Sequence, residues 1–257
     1  MDSKIHSRYL KEFIEEITYH NRNPRDLKAL ELLDDISTNP EMKVKSAERL
    51  YRSRVIKAND ITNKEVGFFG FGASGSFVPP KKYSNDMRAN YRYIPYLYCS
   101  NHPYLSLVEV RPRLGALVSV ATIVVNEELT LLDFTNTNKP SRMTPAKENL
   151  FSDLSNLFSK PVAEEDDTSD YIPTQFIAEY AKNLGYDGIV YQSSLVPEIN
   201  HAGINRFNIV VFNYSKCAAI KSNVILISND YLEGIQTDPD IVRLEIAPFI
   251  EEQLHSF

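Results

Sequence analysis

The sequence is poor in the residues that build disulfide frameworks and zinc sites. It has two cysteines, Cys99 and Cys217, no CxxC motif, and five histidines without HxH or HxxxH spacing. These shortages exclude a disulfide-rich scaffold and an all-cysteine zinc site, and we identify no metal site. The few cysteines also suit a reducing environment, so we expect a cytoplasmic protein.

Long apolar runs and a basic charge excess are lacking too. The most apolar stretch, residues 114–125, is too short to cross a bilayer. Charged side chains occupy the N-terminal segment where a signal peptide has its apolar core. The 257 residues include 28 Lys+Arg against 34 Asp+Glu, a net charge of −6. We therefore expect no membrane contact, and general nucleic-acid binding is disfavoured.

Hydrophobic periodicity predicts an α+β protein that begins with a helical hairpin. Leu10, Phe13 and Ile17 recur at helical spacing, and a second helix follows Pro24. We divide the chain into an N-terminal helical extension, 1–45, and a second domain, 46–257, with a loop or helical insertion at 136–170. Runs of β-branched and aromatic residues predict the strands. These predicted strands are 50–56, 118–125, 129–134, 188–191, 208–212 and 224–227.

Proline and glycine delimit two further features. Pro173 opens a predicted helix, and Gly185 ends it as the residue after the C-cap. A GxGxxG pattern starts at Gly70, but a Rossmann unit needs a helix after its glycines, and Pro79 and Pro80 prevent one. We interpret the glycine segment as a loop that could lie over a ligand.

Basic and aromatic side chains are concentrated between residues 79 and 112. Guanidinium groups bind phosphate and aromatic rings stack on planar bases, so the mixture favours a nucleotide-like ligand or single-stranded nucleic acid. Half-buried tyrosines beside a solvated basic face are the structural alternative. The cluster comprises Lys81, Lys82, Arg88, Arg92 and Arg111 with Tyr83, Tyr91, Tyr93, Tyr96, Tyr98 and Tyr104.

Two polar positions are chemically informative. Glu109 lies within the apolar run SLVEV, where a carboxylate needs a cation such as Arg52, Arg54 or Arg111, or else faces a cleft. Ser193 follows a predicted strand, where serine commonly forms a turn. A structural ion pair and a plain turn are the alternatives to a functional role for these residues.

Several segments, taken in order over residues 49–215, resemble the RES domain family. The resemblance implies a fold similar to ADP-ribosyltransferase toxins, a compact core of mixed and antiparallel strands around a cleft for NAD+. It identifies residues 46–257 as a RES-like catalytic domain with the core at 49–215. The matching segments are LYRSR at 50–54, RANYRYIPYLY at 88–98, VEVRP at 108–112, YDGIVYQSS at 186–194 and NIVVF at 208–212.

The resemblance also implies roles for individual residues. Arg52 and Arg88 would hold the pyrophosphate, and Tyr98 would line the nicotinamide ring. Glu109 would stabilise the ribose cation, and Ser193 would orient the ribose or the acceptor. The implied catalytic residues are Arg52, Glu109 and Ser193, and the implied substrate-binding residues are Arg88, Tyr98, Arg54 and Asn208.

The activity that the resemblance implies is cleavage of the nicotinamide–ribose bond, by an NAD+ phosphorylase or NAD+ glycohydrolase. NAD+ is then the substrate and inorganic phosphate a candidate co-substrate, with no bound cofactor and no metal. Many such proteins are toxins or defence effectors silenced by an antitoxin, so we expect an inhibitory or regulatory partner. A protein ADP-ribosyltransferase and a non-catalytic module that binds a nucleotide or a partner are the alternatives.

The chain departs from the family pattern around the second arginine. Met87 replaces the usual glycine, and Tyr91 and Tyr93 replace a proline and a glycine. Loss of a glycine can remove a positive φ angle, which leaves the loop geometry open and favours the non-catalytic alternative. The N-terminal helices lie outside the resemblance. We expect them to pack on the domain's own core, with inhibition or homodimer formation as the alternative.

Overall fold

A computed structural model of the chain describes residues 8–57, 70–160, 168–195 and 205–227. Within these ranges it has five α-helices and eight strands. The helices are α1 (Arg8–Glu15), α2 (Lys28–Asp34), α3 (Pro103–Glu109), α4 (Pro145–Ser159) and α5 (Ile172–Asn183). The strands are β1 (Glu41–Val44), β2 (Arg49–Ile56), β3 (Leu97–Ser100), β4 (Leu117–Val125), β5 (Leu129–Asp133), β6 (Gly188–Gln192), β7 (Phe207–Val211) and β8 (Cys217–Leu226).

All eight strands belong to one mixed sheet in the order β1-β5-β6-β7-β3-β2-β4-β8. Only the β5–β6 pair is parallel among the paired strands described, and the other pairs are antiparallel. The predicted α+β class is therefore confirmed. The order places β6, β7 and β3 side by side in the middle of the sheet, where they carry the polar residues of the site.

The predicted strands are present, but two further strands and the start of a third lie outside the predicted ranges. β1 falls within the predicted helical extension, 1–45, because its sequence EMKV has little β-propensity and buries only Val44. β3 is four residues long and lies within the tyrosine-rich stretch. β8 begins at Cys217, well before the predicted 224–227, because its first half contains alanine, lysine and serine at the sheet edge.

The N-terminal helices pack on the protein's own core. Leu10, Phe13 and Ile17 are almost fully buried, and Leu30 and Leu33 of α2 join them in the same hydrophobic cluster as α4 and α5. A single π-helical turn, Glu16–His20, continues α1 and carries Ile17 into this cluster. The packing confirms the expected docking of the amphipathic hairpin, whose apolar face is buried within one chain.

A buried lysine fastens the insertion helix α4 to the hairpin. The Nζ of Lys147 donates hydrogen bonds of 2.7 Å to the backbone oxygen of Asp35 and to Oγ1 of Thr38. Burial lowers the pKa of Lys147, so its two acceptors are needed to hold the ammonium group there. The insertion at 136–170 therefore contains a helix that is built into the core.

The glycines that mark the end of the predicted helix and the start of the GxGxxG pattern both have positive φ angles. Gly185 follows α5 with a φ of +97°, and Pro173 lies in the first turn, as predicted. Gly70 has a φ of +114°, and a β-carbon there would lie 2.6 Å from Cδ1 of Ile56. The end of the glycine pattern forms a short 3₁₀ turn at Ser74–Ser76, and the next helical element is another 3₁₀ turn at Lys81–Tyr83. The GxGxxG pattern is therefore not followed by the helix that a Rossmann unit needs.

The described part of the chain contains neither a membrane-spanning helix nor a cluster of metal-ligating side chains. No helix there is long and apolar enough to span a membrane. In the same ranges, no group of three or more histidine, cysteine, aspartate or glutamate side chains is arranged to hold a metal ion. Cys99 and Cys217 are both buried free thiols. The acidic run at 164–170 begins outside the described residues, and its last residue, Asp170, pairs with Lys160 at 3.3 Å.

Candidate functional site

Glu109 is the last residue of α3, and the local sequence explains the helix. His102 is the N-cap, and its Nδ1 accepts a hydrogen bond of 3.2 Å from the amide of Tyr104. Pro103 follows at the first helical position, where its missing N–H costs nothing. Leu105 and Leu107 are buried, and Glu109 is partly exposed. A carboxylate at the negative end of a helix is unfavourable, so its placement is typical of function and not of helix stability.

Two side chains from the central strands hold the Glu109 carboxylate. The hydroxyl of Ser193, which follows β6, donates to Oε1 at 2.6 Å. Nδ2 of Asn208, on β7, donates to the same oxygen at 2.6 Å. Asn208 is itself oriented by Ser100 of β3, whose hydroxyl donates to Oδ1 at 2.8 Å. Within the described ranges both donors bond Oε1, which leaves Oε2 as the oxygen available to a ligand.

These residues line a cleft that is open to solvent. Arg88 and Arg111 contribute guanidinium groups to the lining, and Tyr191 and Phe158 contribute aromatic rings whose centroids are 5.6 Å apart. Cations, a carboxylate and aromatic surface therefore meet in one hollow. The full lining is Arg88, Glu109, Arg111, Phe158, Ser159, Tyr191, Gln192, Ser193, Ser194, Leu195 and Asn208.

Arg88 joins the cleft to the end of the insertion helix. Its Nη1 donates to the backbone oxygens of Leu157 (3.2 Å) and Phe158, and its Nη2 donates to the oxygen of Lys160. These carbonyls lie at the C-terminal end of α4, where the helix dipole is negative and a guanidinium is stabilising. Arg88 therefore shapes one wall of the cleft and contributes positive charge to it.

Tyr98 lies under the Arg88 loop, outside the described cleft lining. Its hydroxyl accepts a hydrogen bond of 3.0 Å from the amide of Ala89 and donates one of 2.8 Å to Oδ1 of Asn90. Burial raises the pKa of the Tyr98 phenol. Gln175 of α5 holds the loop from the other side, where its Nε2 donates to a backbone oxygen of Asn90 at 3.0 Å. In this structure Tyr98 positions the arginine and does not face the hollow.

Arg52 and Arg54 extend to the glycine loop. Nη1 of Arg52 donates to the backbone oxygens of Ser76 (2.9 Å) and Phe77. Nη1 of Arg54 donates to the oxygen of Gly75 at 2.9 Å, with its guanidinium stacked on a phenylalanine ring of the same loop. Burial lowers the pKa of Arg52 to about 10. Neither arginine is among the described lining residues, so the structure does not bring them to Glu109.

The two tyrosines that replace family residues do not fill the cleft. Tyr93 is 59% exposed and adopts a φ of +70°. The chain therefore keeps the left-handed conformation for which a glycine is usual, at a cost of about 1–2 kcal/mol. Tyr91 is half-buried, and neither tyrosine belongs to the lining described above. Tyr93 thus adopts a positive φ without glycine, and neither tyrosine is among the described lining residues of the cleft.

Several residues in and around the cleft have no sequence feature that assigns them to a functional site. Phe158 and Ser159 lie at the end of the insertion helix, and nothing in the local sequence marks them. Tyr191 precedes the serines and has the sequence character of a strand residue. Ser100, which orients Asn208 from outside the described lining, ends β3, a strand that the sequence does not predict. For Arg111 the sequence predicts membership of the basic cluster and a possible ion pair with Glu109, but not a place in the lining of a ligand cleft. Arg111 has a φ of +44°, which no sequence pattern predicts.

Comparison with known proteins identifies the family of the chain. No functionally curated protein matches the chain. Among solved structures, the M. tuberculosis MbcT–MbcA toxin–antitoxin complex matches with 15% sequence identity and a TM-score of 0.42, covering 77% of this chain and 93% of that one. The sequence model of the RES domain matches residues 65–231. Because that match spans more than half of the 257 residues, the chain belongs to the RES domain family.

Proposed function

We propose that this chain is an NAD+-degrading enzyme that cleaves the bond between nicotinamide and ribose. The observation that carries the proposal is the Glu109 carboxylate, held by Ser193 and Asn208 at the edge of a cleft with two arginines. Family membership supports the same substrate, since the RES resemblance implies NAD+. The cleft combines the cationic and aromatic groups that a dinucleotide requires.

The geometry suits a transition state with positive charge on the ribose. As the C–N bond breaks, its electron pair leaves with neutral nicotinamide, and C1 of the ribose becomes cationic, as in glycoside cleavage. Ser193 and Asn208 fix the carboxylate through Oε1, so Oε2 is directed without reorganisation at the moment of reaction. Glu109 would hold the ribose and stabilise that cation by a preorganised negative charge.

The acceptor of the ribosyl group decides the class of enzyme. Inorganic phosphate gives ADP-ribose 1″-phosphate, water gives ADP-ribose, and a side chain of another protein gives an ADP-ribosylated target. In each case the acceptor oxygen or nitrogen bonds to C1 and its proton passes to solvent. We propose phosphorolysis or hydrolysis, and treat transfer to a protein as the outcome that mass spectrometry of a labelled partner would detect.

The experiment is a time course of NAD+ and nicotinamide with the full chain, with and without inorganic phosphate. We expect nicotinamide to appear in step with the loss of NAD+. Acceleration by phosphate would identify a phosphorylase, and no dependence would identify a glycohydrolase. Binding of NAD+ without release of nicotinamide would overturn the enzymatic proposal and favour the non-catalytic module. Steeply salt-dependent binding of RNA or DNA without any effect on NAD+ would favour a nucleic-acid binder.

A toxic role in the cell follows from this activity. An enzyme that consumes NAD+ depletes a shared cofactor, so we propose a toxin or defence effector with an inhibitory partner protein. Expression of the wild-type chain should arrest growth, and expression of Glu109→Gln at the same level should not. Equal growth with both proteins would contradict the toxic role while leaving the purified reaction to be judged separately.

A further inference from the structure

Arg111 lines the cleft, whereas Arg52, which was expected to bind the substrate, is not among the described lining residues. Arg111 lines the hollow together with Arg88 and Glu109, and it is exposed at the rim. Arg52 donates instead to the carbonyls of the glycine loop. The cleft therefore has a second guanidinium, supplied by the segment just after α3.

The backbone at Arg111 is held in a conformation that a side chain disfavours. Helix α3 ends at Glu109, and Val110 has φ −85° and ψ 0°. Arg111 follows with φ +44°, and its amide donates to the oxygen of Val108 at 3.0 Å. Glycine or asparagine would fit this left-handed turn with less strain. Strained positions concentrate at functional sites, so the presence of arginine here indicates that its side chain is used.

Part of the hydrogen-bond donor capacity of Arg88 is used within the protein, which favours a second anion-binding group in the cleft. Arg88 directs two of its nitrogens to three carbonyls at the end of α4, and a guanidinium has five N–H donors in total. A ligand with two phosphates presents more acceptors than Arg88 alone can satisfy. Arginine binds phosphate through two parallel hydrogen bonds, and Arg111 is placed at the mouth where such a group would enter.

We propose that Arg111 is the phosphate-binding residue at the rim of this cleft, an inference that rests on the proposed function. The ligand chemistry is a phosphate oxyanion. Its source is either the diphosphate of the dinucleotide or inorganic phosphate acting as the acceptor. The left-handed turn after Glu109 orients the guanidinium toward the same hollow as the carboxylate, which couples phosphate binding to the reacting end of the substrate.

The test compares Arg111→Gly with Arg113→Ala, an exposed arginine outside the described lining. Glycine removes the cation and relieves the positive φ, and the melting temperature of each variant shows whether it is folded. If the dinucleotide diphosphate is the ligand, KM for NAD+ rises about tenfold or more with and without phosphate. If inorganic phosphate is the ligand, KM for phosphate rises and KM for NAD+ does not. Arg113→Ala should change none of these values.

The two failures can be told apart. Unchanged KM values for both ligands in a folded Arg111→Gly would overturn the role of Arg111, even with an active wild type. If the wild type releases no nicotinamide, calorimetric titration with ADP-ribose and with inorganic phosphate replaces the kinetics. Weaker binding of either ligand by Arg111→Gly would then support the site, and equal binding of both would overturn it. Arg111→Asn, which also tolerates a positive φ, replaces the glycine variant if that protein does not fold.

Discussion

The hydroxyl of Ser193 lies 2.6 Å from Oε1 of Glu109 and donates a hydrogen bond to it. This contact joins the end of β6 to the end of α3, two elements that are far apart in the sequence. The same hydroxyl accepts a bond of 3.1 Å from the amide of Leu195, which fixes its direction. The serine is therefore placed to orient the carboxylate, and this relationship leads to a specific kinetic expectation.

Ser193→Ala should lower kcat/KM for NAD+ by about 10–100-fold, as expected when a group that orients an active carboxylate is removed. The measurement is nicotinamide release, with Ser37→Ala of the hairpin as a serine control outside the cleft. A double variant tests the coupling. In the background of Glu109→Gln, the loss of Ser193 should add little, because both residues act through one carboxylate. Additive losses would show that the serine acts independently of Glu109.

Tyr98→Phe should destabilise the protein and weaken substrate binding together. Ala89 and Asn90 are 0% and 1% exposed, so removal of the hydroxyl leaves a buried amide and a buried carbonyl oxygen without their partner. The expected cost is about 1–3 kcal/mol of unfolding free energy. Arg88 precedes these residues, so KM for NAD+ should rise as well. Denaturant unfolding measures the first effect, with the exposed Tyr83 changed to Phe as control. Unchanged stability with impaired turnover would instead indicate direct contact with the nicotinamide.

Arg52→Lys tests whether the buried arginine serves the loop or the substrate. Lysine cannot reproduce the donation of one guanidinium to the carbonyls of Ser76 and Phe77, and hydrogen bonds of charged groups contribute about 1.5–3 kcal/mol. We expect a lower melting temperature and, where the protein is folded, turnover within a few-fold of wild type. Arg54→Lys should have a smaller effect because Arg54 is exposed. A large rise in KM for NAD+ with unchanged stability would place Arg52 on the pyrophosphate.

Phe13→Ala should show that the N-terminal hairpin is part of the core. Phe13 is 0% exposed and its ring centroid lies 5.5 Å from that of Phe176. Truncation of a buried phenylalanine costs about 3–5 kcal/mol of unfolding free energy. Tyr19→Ala is the control, because that side chain is 72% exposed and should change stability by about 0.5 kcal/mol or less. Equal, small effects of the two variants would mean that the hairpin folds apart from the domain.

Much of the fold could be predicted from periodicity and from proline and glycine positions. Pro173 and Gly185 bound α5, and the β-branched runs become β2, β4, β5, β6 and β7. The failures have a common cause, since β1 and β3 are short and their pairing is set by neighbours from distant parts of the chain. Such strands carry too little local signal to be recognised.

The residue types of the candidate site could be predicted from the sequence, but the direction in which each side chain points was harder to predict. The resemblance brought Arg88, Glu109, Ser193 and Asn208 to attention, and the structure places all four in one cleft. Arg52 lies outside the described lining of that cleft, because successive side chains of a strand point to opposite faces of the sheet. Its neighbour Ser53 bonds Ser106 of α3 at 2.8 Å, so Arg52 faces the opposite side of the sheet.

The left-handed turn at Arg111 could not be predicted either. A positive φ at a residue other than glycine is imposed by the tertiary structure around it. One of the two arginines of the cleft therefore comes from a position for which the sequence predicts only membership of the basic cluster and a possible ion pair with Glu109.

The most direct measurement compares nicotinamide release from NAD+ by the wild type and by Glu109→Gln under single-turnover conditions. Glutamine keeps the size of the side chain and an oxygen that can accept from Ser193 and Asn208, so the fold should be retained and NAD+ should still bind. It removes the negative charge that stabilises the ribose cation, and we expect the rate to fall by about 100-fold or more. Nicotinamide release by a folded Glu109→Gln at the wild-type rate would contradict the account.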